Sequence, residues 1–250
     1  MALGFDRRGS GEPLVLIHPL GGDRHVWSPV VDMLAAEREV VAPDLPGFGS
    51  SASLADGEVP HPAALARVVA GLVRELGIER PHVAGNSLGG WVALELALSG
   101  QARSVTTIAA AGLWSRPLAP SRPVAHQLAR AATPLLPALL ASRAGRRLAL
   151  MATVAHPERV PRADALRLVR AYGAAPGFVD VNRAMRAGRF EGLKRIPVPV
   201  TLAWPDRDRV VKRPAHVPPN VRTVVLRGCG HVPMWDDPEQ VAQVLLEGSA

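Results

Sequence analysis

Residues 83–90 read VAGNSLGG, a Gly-x-Ser-x-Gly pattern with an apolar strand-type run before it and a helix-type run after it. A serine on so tight a strand-to-helix turn is held in a strained backbone conformation with its hydroxyl exposed. Gly85 and Gly89 remove the side chains that would clash on either side of the turn. We therefore predict that Ser87 is a nucleophile. Leu88 opens the next helix, so its unpaired backbone N–H is predicted to bind a developing oxyanion.

Runs of strand-type and helix-type sequence alternate on both sides of this turn. The predicted strands cover residues 14–17, 40–42, 81–84, 105–110, 198–204 and 221–226, and the predicted helices cover residues 62–76, 91–98 and 238–246. This alternation indicates a parallel sheet with helices on both faces. The predicted fold class is therefore α/β with a mostly parallel central sheet.

The alternation stops between residues 114 and 195, where helix-type runs are interrupted by prolines and no convincing strand occurs. A chain of 250 residues fits one large domain. We therefore predict a core made of residues 1–113 and 196–250, with residues 114–195 inserted as a helical cap.

Charge is unevenly distributed along the chain. The net charge is +7, and residues 115–195 alone carry 15 basic and four acidic residues, which leaves the remainder at −4. Either the basic segment meets an anionic group on a small-molecule substrate, or arginine is simply the preferred surface cation; the sequence leaves both open. Nucleic-acid binding is not expected, because this segment contains few aromatic residues and no nucleic-acid motif.

Several classes of protein are not expected from the composition. No run of about 18 apolar residues indicates a transmembrane helix, and the N-terminal residues do not resemble a secretory signal. Cys229 is the single cysteine, so no internal disulfide forms. The eight histidines show no metal-ligand spacing, and no dinucleotide fingerprint follows the first strand, so neither metal nor cofactor is expected. We expect a cytoplasmic protein.

Three further sites follow predicted strands. Asp206 and Asp208 come directly after one strand, and His231 lies in a glycine-flanked loop after another. The chain order Ser, Asp, His is the order expected for a catalytic triad on such a sheet. Leu20 follows the first predicted strand, and its N–H is predicted to be the second oxyanion donor. Asp236 and Asp237, by contrast, are predicted to serve the N-terminus of the last helix.

These motifs resemble the α/β-hydrolase superfamily, in particular its compact esterase-like and C–C-hydrolase-like members with a helical cap. The resemblance extends over essentially the whole chain and is carried by residues 18–27, 44–51, 85–90, 204–208 and 228–238. It favours Asp208 over Asp206 as the triad acid. Pro19 stands where the family commonly has glycine, but Leu20 keeps its N–H.

The resemblance implies hydrolysis of a carboxylic ester, or a related acyl bond, of a largely apolar substrate through an acyl-enzyme on Ser87. Dehalogenases and epoxide hydrolases of this fold carry aspartate at the nucleophile position, where this chain has serine. A meta-cleavage C–C hydrolase, a thioesterase, a hydroxynitrile-type lyase and a non-catalytic ligand-binding protein remain alternatives. The oligomeric state is open, since an exposed apolar cap face would suit a second copy or a membrane surface.

Overall fold

The computed structural model describes residues 2–250. Within them the strands are β1 Phe5–Arg8, β2 Pro13–Ile17, β3 Glu39–Pro43, β4 His82–Asn86, β5 Ser104–Ile108, β6 Val200–Pro205 and β7 Arg222–Leu226. The helices are α1 Ser28–Ala35, α2 Pro62–Glu75, α3 Leu88–Leu98, α4 Val124–Ala131, α5 Leu136–Leu139, α6 Arg143–Leu150, α7 Arg162–Ala174, α8 Phe178–Ala187 and α9 Pro238–Glu247. The strands form one sheet in the order β1-β3-β2-β4-β5-β6-β7.

The order of the strands fixes where the chemistry lies. The chain moves from β2 outward to β3 and then returns past β2 to β4. Because parallel crossovers are right-handed, α1 and α2 cover opposite faces of the sheet. The carboxyl ends of β2 and β4 therefore flank a topological switch point, where α/β sheets bind their ligands. Ile17 and Gly85 are paired there, so both strands end at the same level.

The predicted fold class is confirmed, with a parallel sheet from β3 to β7 and helices on both faces. The sequence pattern missed β1, which pairs antiparallel with β3 at the edge of the sheet. All four β1 residues are exposed, so the strand has no buried face to give an apolar signal. Helix α1 was also missed; it follows directly on a short 3-10 turn and buries only Val30 and Leu34.

Helices α2 and α3 illustrate how the pattern of apolar residues determines how much of a helix is buried. Helix α2 is amphipathic and buries one face, including Leu65, Val69 and Leu72. Helix α3 is buried on nearly all sides, because it packs on β4 and β5 and is itself covered by α2. This central position holds the N-terminus of α3 firmly at the carboxyl ends of the parallel strands.

Residues 114–195, called the cap segment below, contain helices α4 to α8 and no strand. The segment has a small apolar cluster of its own, formed by Leu136, Leu140, Leu150, Val154, Val160, Ala165 and Val169. Trp235 of the core packs against both this cluster and the main core. The domain boundaries at 113/114 and 195/196 stay a prediction. Across residues 2–250, no helix has both the length and the apolarity that crossing a bilayer requires.

Candidate active site

Ser87 lies between β4 and α3 with φ 55° and ψ −113°, in the region that side chains other than glycine rarely adopt. Such strain costs on the order of 1–3 kcal/mol and persists only when the surroundings impose it. Here the Ser87 N–H donates to Ile108 at 2.9 Å, and the Ala111 N–H donates to the Ser87 carbonyl at 2.9 Å. The turn also requires both glycines, because a Cβ on Gly85 or Gly89 would lie 2.2 Å or less from a backbone oxygen.

Two backbone N–H groups near Ser87 have no acceptor among the described residues. Leu88 is the first residue of α3, so no carbonyl of its own helix is in range. Leu20 lies in the turn after β2, and its N–H likewise donates to no described residue. Leu20 and Ser87 both line one cavity. The structure thus leaves both predicted oxyanion donors unpaired, one on each side of the switch point between β2 and β4.

His18 orients the Leu20 N–H, a role that the sequence analysis did not assign. The fully buried His18 ring accepts a hydrogen bond from the Leu45 N–H at Nε2, 2.9 Å away, and its Nδ1 donates to the Pro19 carbonyl at 2.8 Å. The Gly22 N–H donates to the same carbonyl at 3.0 Å. Because the C=O and N–H of a trans peptide point in opposite directions, fixing the Pro19 oxygen directs the Leu20 N–H the other way.

Burial lowers the pKa of His18 and outweighs the opposing effects of its bond to Pro19 and of nearby Asp44 and Asp23. The ring is therefore neutral, which its hydrogen bonds require, since one nitrogen accepts while the other donates. A histidine next to the predicted oxyanion loop was visible in the sequence. Its function became visible only when the Asp44 loop (residues 44–51) was brought against it.

Asp208 and His231 form a buried pair. The Nδ1 of His231 lies 2.8 Å from Oδ2 of Asp208, and both side chains are about 95% buried. The other carboxylate oxygen accepts the backbone N–H groups of Val210 at 2.7 Å and Val211 at 3.1 Å. Burial acts to raise the pKa of Asp208, but the His231 bond and charge and these two N–H groups outweigh it and hold the pKa below its ordinary value.

The structure separates the two acid candidates that follow β6. Asp206 accepts the Gly228 N–H at 2.8 Å and is exposed, so it closes a turn between two loops. Asp208, two residues later, is directed at the histidine. Because Asp208 occupies His231 Nδ1, the Nε2 atom of that ring is left available as a base.

Ser87 and His231 line the same cavity, but no hydrogen bond joins the Ser87 hydroxyl to His231 within residues 2–250. Catalytic hydrogen bonds are often long or poorly aligned without substrate and tighten when it binds. The structure therefore brings the acid and the histidine into contact and places the serine beside them. The catalytic roles of Ser87, Asp208 and His231, and of the Leu20 and Leu88 N–H groups, stay predictions.

Asn86, the residue before the serine, is a second group that the sequence analysis did not single out. It is fully buried, and its Nδ2 donates to the carbonyls of Ile108 and His231, each at 3.0 Å. One side chain thus fixes the backbone of the histidine loop against the strand that carries the serine. The separation of 145 residues between Asn86 and His231 gave no local signal for this contact.

The prediction for the two carboxylates near the last helix is correct for Asp237 and wrong for Asp236. Asp237 accepts the Gln240 N–H at 2.9 Å and caps α9. Asp236 instead accepts N–H groups from Gly230 at 2.8 Å and from the cap segment, Ala155 at 3.0 Å and His156 at 2.8 Å. Asp236 therefore links the cap segment to the histidine loop. It is the residue that ends the 3-10 turn Pro233–Trp235, and Asp237 is the one that caps α9.

The cavity above Ser87 has a volume of about 1130 Å³ and lies between the core and the cap segment. Most of its wall is apolar, with alanine, leucine and valine side chains from the cap segment. Lys212 and Arg213 of the core add cationic groups and form no ion pair with a described residue. Arg186 is the cap arginine in the wall, and its guanidinium donates to the Ala119 carbonyl. The Arg186 guanidinium is therefore held in place but keeps its charge, whereas Lys212 and Arg213 have no hydrogen-bond partner among the described residues.

No group of three or more His, Cys, Asp or Glu side chains that could hold a metal ion occurs within residues 2–250. Cys229 is buried, and burial together with the charges of Asp236, Asp237 and Asp206 raises the pKa of its thiol to about 12. At neutral pH the thiol is protonated, which removes it as a competing nucleophile.

Comparison with known proteins agrees with this architecture. Residues 14–244 match the model of the alpha/beta hydrolase family. The chain is 33% identical over 201 residues to epoxide hydrolase EphH of Mycobacterium tuberculosis, covering 73% of this chain and 92% of that protein. It is 30% identical over 261 residues to the pimeloyl-[acyl-carrier protein] methyl ester esterase of Aeromonas hydrophila, covering 98% of both. A crystal structure of a membrane phospholipase A superposes with a TM-score of 0.76 at 28% identity, covering 99% of this chain and 83% of that one. The protein therefore belongs to the alpha/beta hydrolase family.

Proposed function

We propose that this hydrolase is a serine esterase that cleaves a carboxylic ester of a small, largely apolar substrate through an acyl-enzyme on Ser87. The observation that carries the proposal is the 2.8 Å contact between Asp208 and His231, beside Ser87 in one cavity. A similar methyl ester esterase from Aeromonas hydrophila supports this reaction class.

Each group in the site has a defined role in the proposed mechanism. His231 Nε2 accepts the Ser87 proton as the serine oxygen attacks the ester carbonyl carbon. Asp208 holds the ring with Nδ1 as donor and stabilises the imidazolium that forms. The N–H groups of Leu20 and Leu88 bind the oxyanion, each worth about 3 kcal/mol in the transition state. His231 then protonates the leaving alkoxide. In the second half of the reaction His231 takes a proton from water as the water attacks the acyl carbon, and returns it to the Ser87 oxygen as the bond to the acid breaks.

The serine also bears on the likeness to an epoxide hydrolase. Opening an epoxide with the Ser87 oxygen would leave an ether, which water does not cleave at a useful rate. A carboxylate nucleophile would leave an ester, which water does cleave. The nucleophile in this chain therefore favours acyl transfer over epoxide opening.

The cavity also favours substrates that carry an anionic group. Lys212 and Arg213 line it without a carboxylate partner among the described residues. A thioester with a phosphate-bearing leaving group and the dienoate substrate of a C–C hydrolase both carry such a charge. These two reactions, which use the same nucleophile, are the second candidate.

The first experiment measures hydrolysis of p-nitrophenyl esters of graded acyl length by wild type, Ser87→Ala and Ser115→Ala. Ser115 is the matched control, because it is a second serine in the same cavity wall. We expect Ser87→Ala to lower kcat by at least about 10⁴-fold, and Ser115→Ala to stay within a few-fold of wild type. An active Ser87→Ala variant would contradict the proposal.

Other outcomes would point to the alternative functions. If wild type hydrolyses none of the esters but a fluorophosphonate labels Ser87, thioesters and C–C bonds are assayed next. Absence of both activity and labelling favours a non-catalytic binding protein, and turnover without a trappable adduct on Ser87 favours a lyase.

A second experiment tests the cations with p-nitrophenyl butyrate and the mono-p-nitrophenyl ester of adipic acid. Lys212→Ala is compared with Lys194→Ala, the other lysine of the chain, which is exposed and outside the cavity. We expect Lys212→Ala to raise KM for the charged ester by roughly three- to fivefold, as is typical for a solvent-accessible ion pair. KM for the neutral ester should not change. Equal effects on both esters would remove the anionic group from the proposal.

A further inference from the structure

The cap segment has an outward surface that the proposed chemistry does not use. The described residues include eleven exposed large apolar side chains, and six of these lie in one stretch of 28 residues of the cap segment, 124–151. They are Val124, Leu128, Leu135, Leu139, Leu148 and Met151, with exposed fractions between 38% and 68%. Together with the exposed Arg122, Arg130, Arg143 and Arg147, they are called the cap face below. Isolated exposed apolar residues need no explanation, but a concentration of this kind does.

The cap face belongs to one layer of short helices. Helices α4, α5 and α6 all pack on α7, and the side chains of the cap face lie on parts of these helices and their ends that the rest of the described protein leaves exposed. Gly173 of α7 allows the close approach, because a Cβ there would lie 2.9 Å from the Arg130 backbone nitrogen. Val124 and Leu128 are four residues apart on α4, and Leu148 and Met151 are three apart at the end of α6. Such spacings place the members of each pair on the same side of a helix.

The charge of this surface is entirely positive. No aspartate or glutamate occurs between residues 96 and 157, and Arg143 and Arg147 form no ion pair within the described residues. An isologous contact between two copies would bring the arginines of both cap faces together, and Glu158, on the turn packed against α6, offsets only part of that charge, which disfavours a dimer through this surface. The cap face therefore fits a partner that is anionic and also accepts apolar side chains.

We propose that the cap face binds the surface of an anionic lipid bilayer. Side chains that are more than half exposed, such as Leu128, Leu135 and Leu148, project from the surface and do not line a groove. A protein partner would need pockets at matching positions, whereas an acyl-chain region accepts them in any arrangement. Leucine beside arginine is the composition of interfacial helices that bind membranes.

The position of the cap face relative to the cavity agrees with this partner. Ala125, Ala129, Ala149 and Ala152 line the cavity, and each is a neighbour in sequence of a member of the cap face. The same short segments therefore carry both the cap face and part of the cavity wall, since adjacent residues of a helix point about 100° apart. Membrane binding itself does not depend on the chemistry at Ser87.

The experiment measures co-sedimentation of the full-length protein with vesicles. One set is pure phosphatidylcholine, and the other contains equal parts phosphatidylcholine and phosphatidylglycerol. We expect binding to the anionic vesicles that weakens as salt is added, and little binding to the neutral ones. Leu128→Ser combined with Leu148→Ser should weaken binding by about tenfold or more. Val59→Ser combined with Val225→Ser is the matched control, because both residues are exposed elsewhere on the protein.

The charge contribution is tested with Arg143→Gln combined with Arg147→Gln. We expect about fivefold weaker binding for each arginine removed, and no change for Arg74→Gln combined with Arg227→Gln, two exposed arginines outside the cap face. Turnover of a soluble ester should be unaffected, because none of these residues lines the cavity.

Two kinds of result would overturn the proposal. Failure to bind anionic vesicles, or equal losses in cap-face and control variants, would show that this surface is not a membrane site. A concentration-dependent dimer in light scattering that the leucine variant abolishes would assign the surface to a second copy. Binding to a small acidic protein, such as an acyl carrier protein, that the leucine variant loses while vesicle binding persists would assign it to a protein partner.

Discussion

Two loops at the carboxyl ends of the parallel strands each hold a buried aspartate. They differ in the cationic side chain that the aspartate faces. The Asp44 loop follows β3, and the Asp208 loop (residues 206–211) follows β6. Both side chains are almost fully buried, and both accept backbone N–H groups. Asp44 faces the guanidinium of Arg24, whereas Asp208 faces the ring of His231.

The partner decides what each carboxylate does. Arg24 is always charged, so Asp44 is neutralised at all times and its hydrogen bonds hold the loop together. Asp44 accepts the Ser50 N–H and the Arg24 N–H, both at 2.8 Å. His231 gains its charge only on taking up a proton, so in the proposed mechanism Asp208 acts mainly when the ring is protonated. The same residue type in similar burial is therefore structural in one loop and suited to chemistry in the other.

The largest expected effect is the loss of activity on replacing Asp208, the aspartate that contacts His231. Asp208→Asn should lower kcat/KM for p-nitrophenyl esters by about 10⁴-fold, because an amide favours the wrong tautomer of His231. Asp206→Asn is the control two residues away and should stay within about twofold, since Asp206 contacts Gly228 and not the histidine. Comparable losses in the two variants would show that the loop matters through its folding. Far-UV circular dichroism of both variants checks that the fold is intact.

The structural side is tested with Asp44→Asn. Asp44→Asn removes the charged acceptor of the Arg24 guanidinium and of the Ser50 and Arg24 N–H groups, while Arg24 keeps its second partner Asp6, so we expect the free energy of unfolding in urea to fall by about 2 kcal/mol. Turnover per folded molecule should change by no more than a few-fold, because Asp44 does not line the cavity. An unchanged unfolding transition would contradict the structural role. A loss of turnover as large as that of Asp208→Asn would erase the distinction between the two loops.

The pH dependence of stability is a second test of the structural role of Asp44. Burial acts to raise the pKa of Asp44, but the Ser50 and Arg24 N–H groups and the Arg24 guanidinium outweigh it and hold the pKa below its ordinary value. A carboxyl with a lowered folded-state pKa stabilises the protein fully above the unfolded pKa of about 3.9 and loses this contribution as pH falls through the folded-state value.

The difference in unfolding free energy between wild type and Asp44→Asn should therefore be constant from pH 7 to about pH 5 and shrink below about pH 4. Urea denaturation at a series of pH values measures it. If the difference in unfolding free energy grew as the pH fell, the prediction of a lowered pKa for Asp44 would be wrong.

The smallest expected effect concerns Asp236, which belongs to neither loop but accepts N–H groups from both the histidine loop and the cap segment. Asp236→Asn should lower kcat by roughly two- to fivefold and destabilise the protein by about 1 kcal/mol, the typical net worth of a hydrogen bond. Asp237→Asn removes a carboxylate from the cap of α9 and should destabilise by a similar amount or less with kcat unchanged. If the two variants have the same kcat, the cap contact does not position His231.

Much of the fold was predictable because its signals are local. The glycine pattern around Ser87 required a strand before it and a helix after it, and the structure has β4 and α3 there. The exposed edge strand β1 was missed, because a strand without a buried face leaves no apolar pattern. In the site, no local pattern indicated that Asn86 contacts the histidine loop, since Asn86 and His231 are 145 residues apart.

By itself, the sequence determined the class of the sheet, the turn that carries Ser87 and the order of the acid and the histidine, because these depend on periodicity and on residues adjacent in the chain. The tertiary structure decided which aspartate meets His231, which groups hold the loops and where free cations face the cavity. It also decided that these leucines and arginines of the cap segment are exposed and not buried against the core. These features depend on distances between residues far apart in the chain, and only packing of the sheet, helices and loops sets such distances.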